Sequence, residues 1–447
     1  MNLPATPLPD FTASQVLRAH VADTMAFYHP RAIDPAGGFF HSLRDDGRIA
    51  ERSLRHLVSS TRFVYGYALA AVEFADAPLA AEYRDAAAHG LRFLREAHRD
   101  PGSGGYAWTL RDGVPEDRTQ HTYGLAFVLL AYASARKSGL DTAAWMDETW
   151  DLLETHAWDP AHGLYRDEAD RDWRYSDYRG QNANMHLCEA LIAAHEADGG
   201  PRWLPRALAL ADAMTRRQAS LAGGLVWEHY CADWSVDWDY HRDDPTHLFR
   251  PWGFQPGHQV EWAKLLLQLR DHLGADAPDW LLPTARRLYD TALAHGWDDA
   301  HGGIVYGFAP ESLRARSPAP GEPPPDLAAA PMYVCDADKY FWVQAEAIAA
   351  AWRLHAATGE ARYRDDYLRL WDYAWRHFVD HVHGAWYRIL DRENRRYDDL
   401  KSPPGKTDYH TMGACHDVLA AMRGAASRRN GATAAAAART AGRGSRS

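Results

Sequence analysis

Apolar side chains recur every three or four residues along this chain in twelve separate segments. That spacing places the apolar groups on one face of a helix, so each segment is predicted to be a helix. The odd-numbered segments lie at about 12–28, 78–98, 142–157, 201–219, 277–296 and 360–382. The even-numbered segments lie at about 53–75, 118–137, 181–198, 256–273, 338–357 and 407–423.

A short motif rich in glycine and aromatic residues follows each odd-numbered segment. Its six copies read DPAGGFFHSL, DPGSGGYAWTL, DPAHGLYRDE, SLAGGLVWEHY, DDAHGGIVYGF and DHVHGAWYRIL. A unit of helix, turn and helix is therefore repeated, and such units bury their apolar faces against their neighbours. We predict an all-α fold, an (α/α)6 barrel of twelve helices with short β-hairpin loops at one end. An open α-solenoid is the alternative architecture.

The repeats predict a single barrel domain over residues 1–423, although the chain has 447 residues. Residues 309–331 are rich in proline and are expected to form an irregular loop, either a lid or a simple insertion. Residues 424–447 contain many alanines and arginines but no acidic or aromatic residue. This tail is predicted to be disordered.

The even-numbered helices begin with polar and aromatic side chains, whereas the odd-numbered helices do not. Burying such groups costs free energy unless they find partners or a ligand. A ring of polar positions at one end of a barrel therefore predicts the floor of a binding site. The candidate residues that share this placement are Arg62, His121, Asn184, His186, Glu189, His258, Glu261, Trp342, Glu346 and His410. Glu189 and Glu346 have a second interpretation, as buried carboxylates that only fix the helices.

Charge and cysteine content narrow the class of protein. A formal net charge of -11 leaves no broad basic face for a nucleic acid. No apolar run reaches the length of a membrane span, and the first residues lack the pattern of a secretory signal. The four cysteines are widely separated, which favours a reducing compartment. We expect a cytoplasmic monomer or weak homodimer that binds neither nucleic acid nor membrane.

The chain is rich in rings, with 18 Trp, 22 Tyr and 24 His. Aromatic faces cover the apolar C–H face of a pyranose, so this composition favours a sugar site, with a Trp-rich core as the other interpretation. Two histidines on inner helices suit acid–base chemistry at neutral pH. His258 and Glu261 share a helix face and are possible metal ligands, but no third ligand is evident. We expect neither a metal nor a cofactor.

Four stretches, RPWGFQPGHQVEWAKLLLQL, NANMHLCEA, DKYFWVQAEA and TDYHTMGACHD, resemble the acylglucosamine 2-epimerase superfamily. The resemblance extends over about residues 12–423. It implies an (α/α)6 barrel that acts on free reducing sugars. Within the superfamily the pattern is closest to the isomerases of D-mannose and sulfoquinovose. The epimerases of acylated amino sugars and cellobiose are more distant, because they usually carry paired tryptophans where this chain has Phe341 and Trp342.

The resemblance also implies roles for individual residues. His258 and His410 would be the acid–base pair, and Trp342 a stacking residue. Arg62, His186 and Glu261 would lie in the substrate site. The implied reaction is aldose–ketose isomerisation of a free monosaccharide, D-mannose to D-fructose and in the same way D-lyxose to D-xylulose. It would pass through a cis-enediolate, with His410 as the base at C2. The same two histidines would serve a 2-epimerase if His258 acted on the opposite face of C2.

Two other classes of function remain open at this point. An (α/α)6 glycoside hydrolase would need two opposed carboxylates, for which Glu228 and Asp237 are the candidates. A non-catalytic sugar-binding protein would need no catalytic pair at all. Turnover of a sugar by the purified chain would exclude this second class.

Overall fold

The computed structural model describes residues 7–315, 317–318 and 330–424. Twelve long helices in this part of the chain, α1 to α12, follow the predicted pattern. They span Ser14–Tyr28, Leu57–Glu73, Leu79–Phe93, Thr122–Lys137, Ala143–Leu152, Gln181–Asp198, Trp203–Asp212, Pro256–Leu273, Leu281–Gly296, Phe341–Thr358, Ala361–His377 and 409–424. A π-helical turn extends α3 to His98, α5 to Ala157 and α7 to Gln218.

The even-numbered helices form the inner ring of the barrel and the odd-numbered helices form the outer ring. In α8 every residue from Pro256 to Leu267 is buried. In α9 the buried residues follow one stripe, which includes Leu281, Ala285, Leu288 and Ala292. A helix buried on all sides belongs inside a layer of other helices, and a helix with one apolar stripe covers such a layer. The predicted alternation of outer and inner helices is therefore confirmed.

Contacts of α12 close the inner ring. On one side the His410 imidazole of α12 bonds to the Glu346 carboxylate of α10. On the other side the ring of Tyr409 packs against Tyr65 of α2, with 4.8 Å between the ring centroids. The structure is thus a closed (α/α)6 barrel and not an open solenoid.

Short strands connect the end of each outer helix with the beginning of the next inner helix. Most pair as small antiparallel ladders of two or three strands, and no closed sheet forms in the described ranges. The strands span Ser42–Arg44, Ile49–Glu51, Leu54–His56, Thr109–Arg111, Val114–Asp117, Gln120–His121, Trp158–Asp159, Leu164–Tyr165, Glu168–Ala169, Arg179–Gly180, His229–Tyr230, Gly307–Pro310, Met332–Asp336, Lys339–Tyr340, Ile389–Leu390 and Leu400–Ser402. All six inner helices therefore begin at the end of the barrel that carries these loops.

Several inner helices begin later than the sequence pattern predicts, because a short strand takes the first positions. The helix predicted at 53–75 begins at Leu57, and the one predicted at 118–137 begins at Thr122. Such strands are only two or three residues long, so they carry no alternation that distinguishes them from the helical pattern that follows. The difference places His121 in a strand at the helix entrance and not inside a helix.

The proline-rich segment is only partly described. Its beginning forms the strand Gly307–Pro310 and a short helix, Glu311–Ala315, and the strand Met332–Asp336 pairs with the first strand. The loop predicted over the rest of 309–331 and the tail predicted as disordered lie outside the described residues. Among the described helices, none is long and apolar enough to cross a membrane.

Buried amide side chains of three inner helices hold the preceding glycine–aromatic turns. In each case the side-chain oxygen accepts the N–H of one turn residue, and the side-chain nitrogen donates to the carbonyl of the same residue. We call this pair of hydrogen bonds an amide clamp. The clamps join Asn184 to Tyr165 (2.8 and 3.0 Å), Gln259 to Val226 (3.0 and 2.7 Å), and Gln344 to Ile304 (2.9 and 2.8 Å). The turns are therefore fixed relative to the inner helices that carry the polar residues.

Replacing Gln259 with leucine is expected to lower the free energy of unfolding by about 2–4 kcal/mol, because two buried backbone groups of Val226 lose their partners. Urea unfolding followed by circular dichroism measures this change. Gln15→Leu, at an exposed position of α1, is the matched control and should change stability by less than about 0.5 kcal/mol. Equal effects of the two substitutions would contradict the clamp.

Candidate active site

The beginnings of the six inner helices surround a cavity of about 490 Å³. Each of these helices contributes at least one side chain to its wall. Seven of the ten residues predicted from the sequence line it: Arg62, His121, His186, His258, Glu261, Trp342 and His410. Its volume lies within the usual range for small-molecule sites.

His258 forms a buried pair with Glu228. The imidazole Nδ1 lies 2.8 Å from the Glu228 Oε2, and Gln181 Nε2 donates to the same oxygen at 3.1 Å. An ionised carboxylate only accepts hydrogen bonds, so Nδ1 carries the proton of this bond and Nε2 keeps its lone pair. Because His258 lines the cavity, its free nitrogen is available to a ligand there.

His410 forms a second pair of the same kind. Its Nδ1 lies 2.7 Å from Glu346 Oε1, and the other oxygen of Glu346 accepts a bond from Lys264 Nζ at 2.6 Å. Burial lowers the pKa of His410 well below its usual value, and the nearby Arg62 guanidinium lowers it further. His410 is therefore a neutral imidazole at pH 7, with Nε2 able to accept a proton.

The indole of Trp342 contacts both imidazoles. Its ring centroid is 5.1 Å from that of His258 and 5.4 Å from that of His410. Its interplanar angles with the two imidazoles are 35° and 36°. An aromatic wall of this kind accommodates the apolar face of a sugar and places it between two proton-transfer groups.

Arg62 supplies a fixed positive charge beside His410. Its Nη1 donates to the carbonyl of Gly405 at 2.6 Å, and its Nη2 lies 3.1 Å from the Tyr123 hydroxyl and 3.5 Å from His410 Nε2. The guanidinium packs against the rings of Phe127 and Tyr409, at 4.4 and 4.7 Å from their centroids. A cation held this firmly suits a negative charge that develops on a bound molecule.

Glu261 is fully buried, and neither of its carboxyl oxygens has a partner in the described part of the protein. Burial raises its pKa well above the usual range, and the neighbouring Glu346 and Glu189 add to this rise. This rise favours the neutral carboxylic acid, which can donate a hydrogen bond as well as accept one, while Lys264 and Arg62 oppose it. His186 Nδ1 lies 3.8 Å from it. Burial lowers the pKa of His186 to about 4.

The model of the N-acylglucosamine 2-epimerase (GlcNAc 2-epimerase) family matches residues 38–414. The chain belongs to this family. It is 51% identical over 414 residues to the D-mannose isomerase of Marinomonas mediterranea, in a match that covers 92% of this chain and 98% of that relative. It is 37% identical over 323 residues to the D-mannose isomerase of Thermobifida fusca, which covers 71% and 73% of the two chains.

A solved structure agrees with these relatives. The crystal structure of a D-mannose isomerase, 51% identical, superposes with a TM-score of 0.85 and covers 92% of this chain and 99% of the other. The family and the barrel predicted from the sequence are therefore confirmed.

Three of the predicted site residues, Asn184, Glu189 and Glu346, lie outside the cavity wall. Both polar atoms of Asn184 are used by the amide clamp, so its position does not support a role in substrate binding. Glu346 lies behind His410. Glu189 lies behind His186, with 3.2 Å between its Oε2 and the imidazole Nδ1. Burial acts to raise the pKa of Glu189, but Lys264, His186 and Tyr409 outweigh it and lower that pKa to about 2.

Other cavity residues were not among the predicted site residues. Glu228 was considered only as a hydrolase carboxylate, and Asp167 and Lys406 carried no signal in the sequence because they lie in loops. Burial raises the pKa of Asp167 to about 8, although its carboxylate accepts the N–H of Gly180 at 2.6 Å. Burial, with Arg62 and Arg388, lowers the pKa of Lys406 to about 7.

Two groups of side chains have ligand atoms close enough to hold a metal ion. They are His186 with Glu189 and Glu261, and Glu261 with Glu346 and His410. The Lys264 ammonium lies 2.6 Å from Glu346 and 3.9 Å from Glu189, so a protein cation already balances these carboxylates. His258, considered with Glu261 as a possible ligand, belongs to neither group.

Replacing Glu228 with glutamine is expected to lower kcat/KM by about 100-fold, because the new amide N–H can donate to His258 Nδ1 and leave Nε2 protonated. Asp237→Asn, in the same loop but outside the cavity, is the matched control. The Asp237 carboxylate accepts only backbone N–H groups of Asp239 and Tyr240, which an asparagine oxygen can also accept. Equal losses in both variants would contradict the assignment.

Proposed function

We propose that this chain is an aldose–ketose isomerase that interconverts D-mannose and D-fructose by proton transfer, without a metal or cofactor. The observation that carries the proposal is a cavity lined by two imidazoles, each held at Nδ1 by a buried carboxylate. The 51% identity to a D-mannose isomerase, over nearly the whole of both chains, supports the choice of sugar. The same chemistry applies to D-lyxose and D-xylulose.

The first step in this proposal opens the sugar ring. His258 exchanges a proton between the anomeric hydroxyl and the ring oxygen, so that the C1–O5 bond breaks and a free aldehyde forms. Glu228 keeps the His258 Nδ1 protonated, so Nε2 is the nitrogen that faces the sugar. Trp342 packs against the apolar face of the sugar and keeps it between the two imidazoles.

The second step moves a proton from C2 to C1. His410 Nε2 takes the C2 proton, and the electron pair of the C2–H bond forms the C1=C2 double bond of a cis-enediolate. The negative charge develops on O1, where Arg62 stabilises it and Glu261, which lines the same cavity, is placed to donate a hydrogen bond. A proton then passes from O2 to O1, and His410 returns its proton to C1 on the same face. The product is the ketose.

Epimerisation is the alternative outcome at this site. It would require a proton donor on the other face of C2, and His258, which contacts Trp342 as His410 does, is the candidate. The product therefore distinguishes the two reactions, since an epimerase would give glucose from mannose. The hydrolase is less well supported, because Glu228 is engaged by His258 and Gln181, and Asp237 does not line the cavity.

We further infer that residues 1–423 act as one domain on a free monosaccharide. The negative net charge and the absence of a membrane-spanning helix among the described residues fit a cytoplasmic monomer or weak homodimer. Analytical ultracentrifugation of the purified chain tests the oligomeric state.

The function is tested by NMR of D-mannose with EDTA-treated protein in D2O. Fructose as the first product supports the proposal, and deuterium at C1 reports exchange of the transferred proton with solvent. Glucose as the first product would replace the isomerase with a 2-epimerase. Unchanged mannose would overturn the choice of sugar. A C6-sulfonated hexose is then the next substrate to test, because Lys406 and Arg250 line the cavity and favour an anion.

A further inference from the structure

Lys264 is a buried cation directly beneath the catalytic cavity. It lies on α8, six residues after His258, and its side chain is 6% exposed. It does not line the cavity, so it does not contact a bound sugar. A buried ammonium requires close anionic partners, because its desolvation is costly.

Its partners connect it with two imidazoles of the cavity. Lys264 Nζ donates to Glu346 Oε2 at 2.6 Å, and Glu346 Oε1 lies 2.7 Å from His410 Nδ1. On the other side, Nζ lies 3.9 Å from Glu189 Oε1, and Glu189 Oε2 lies 3.2 Å from His186 Nδ1. The Lys264 ammonium is therefore linked to His410 through Glu346 and to His186 through Glu189.

We propose that Lys264 is a positioning residue whose charge keeps Glu346 ionised and thereby holds His410 with a proton on Nδ1 and a lone pair on Nε2. This inference rests on the proposed function, in which His410 is the base at C2. Lys264 does not touch the sugar. It determines which nitrogen of His410 is free to accept the C2 proton.

The loss of this charge has two possible consequences, and both disable the base. If Glu346 becomes protonated, its O–H donates to His410 Nδ1 and the imidazole proton moves to Nε2. If Glu346 stays ionised without a counter-charge, it favours a proton on His410, and the imidazolium again carries a proton on Nε2. Burial already raises the pKa of Glu346 to about 7, and Lys264 opposes that rise.

The other charged and titratable groups around His410 stay in place when Lys264 is changed. They are Arg62 on α2, His186 on α6, Glu261 on α8, Glu346 on α10, and Lys406 in the loop before α12. Arg62 contacts the opposite edge of the imidazole, at Nε2, and so does not replace Lys264 as the partner of Glu346.

The test compares Lys264→Met, which keeps the length of the side chain without its charge, with Lys264→Arg, which keeps the charge. Lys264→Met is expected to lower kcat for D-mannose by about 100-fold at pH 7 with KM changed by less than about threefold. Lys264→Arg should recover most of the loss. Lys137→Met, on the protein surface beside Glu196, is the matched control and should keep full activity.

The dependence on pH gives a second readout. If Glu346 is protonated in Lys264→Met, raising the pH should restore part of kcat. The midpoint of the increase of kcat with pH should then be at a higher pH in this variant than in the wild type. All assays contain EDTA, because a cation recruited by the freed carboxylates would conceal the loss. Unchanged kcat in folded Lys264→Met would overturn the inference, as would equal losses in the Met and Arg variants.

NMR of protein labelled with ¹⁵N-histidine separates this inference from the proposed function. At pH 7.5 the wild type should show His410 protonated only at Nδ1, and Lys264→Met should show it protonated at Nε2. A His410→Asn sample identifies the signals. If the wild type turned over no sugar, the proposed function would fail, while these signals would still decide whether Lys264 controls the imidazole. Identical His410 signals in both proteins would overturn the inference.

Discussion

Asparagine in place of His410 is expected to lower kcat for the conversion of D-mannose to D-fructose by about three orders of magnitude. The substitution removes the imidazole that is proposed to accept the C2 proton. The asparagine amide can still form a hydrogen bond to Glu346. KM should change little, because Trp342, Arg62 and Glu261 remain in the cavity wall. Initial rates of fructose formation measure the loss.

The same variant should lose the exchange of the C2 proton with solvent. Incubation of D-mannose in D2O with His410→Asn should leave C2 protonated over a time in which the wild type reaches equilibrium. His301→Asn, at an exposed position, is the matched control. Exchange at C2 that continues in His410→Asn but stops in His258→Asn would show that the two histidines have the reverse roles.

Acid is expected to destabilise the fold steeply between about pH 6 and 4.5. Nine buried imidazoles in the described part of the chain have pKa values lowered by burial: His20, His41, His56, His98, His121, His186, His229, His410 and His416. The unfolded chain binds protons at these positions below about pH 6.5, whereas the folded chain binds them only at lower pH. The contribution of these histidines to the free energy of unfolding is therefore fully present above about pH 6.5 and is lost as the pH falls.

Buried carboxyls oppose this loss in part. Five of them have raised pKa values, so their protonation favours the folded chain as the pH falls: Asp167, Glu261, Asp336, Glu346 and Asp408. The imidazoles are more numerous, and each proton of difference is worth about 1.4 kcal/mol per pH unit. The net loss is roughly 5 kcal/mol per pH unit in this range.

Urea unfolding at a series of pH values measures this slope. Phenylalanine in place of His416 removes one buried imidazole that lies away from the cavity, so the slope should fall by about 1.4 kcal/mol per pH unit. His301→Gln changes an exposed histidine and should leave the slope as it is. A free energy of unfolding that stays constant between pH 7 and 5 would contradict the prediction.

The architecture could be predicted from the sequence because it is repeated. Six copies of one motif at similar spacing identify six helix pairs, and burial of one face per helix follows from periodicity. The beginnings of the inner helices were shifted because short strands such as Leu54–His56 have no pattern long enough to distinguish them from a helix. These helices were therefore predicted correctly, but their first residues were placed a few positions too early.

The site could be predicted where its residues lie on the inner helices or at their entrances, as His121 does. His258 and His410 stand at equivalent places on inner helices, so the repeat itself indicates them. Their partners follow no such rule, since Glu228 lies in a loop 30 residues before His258, and Glu346 lies 64 residues before His410. Asn184 shares the position of the catalytic residues but not their direction, because the clamp turns its amide toward Tyr165. The position of a residue in the repeat predicts which helix carries it, whereas the direction of its side chain depends on tertiary packing.

The amide clamps separate the part of each loop that must be constant from the part that is free to vary. Gln344 fastens Ile304, and the chain leaves for the long proline-rich excursion only a few residues later. The strands Gly307–Pro310 and Met332–Asp336 pair and hold the two ends of that excursion together. The chain between Pro310 and Met332 can therefore change in length without moving Trp342 or His258, because the clamps hold their helices independently of it. A graft of a shorter loop between Pro310 and Met332 should leave the proton-transfer pair in register.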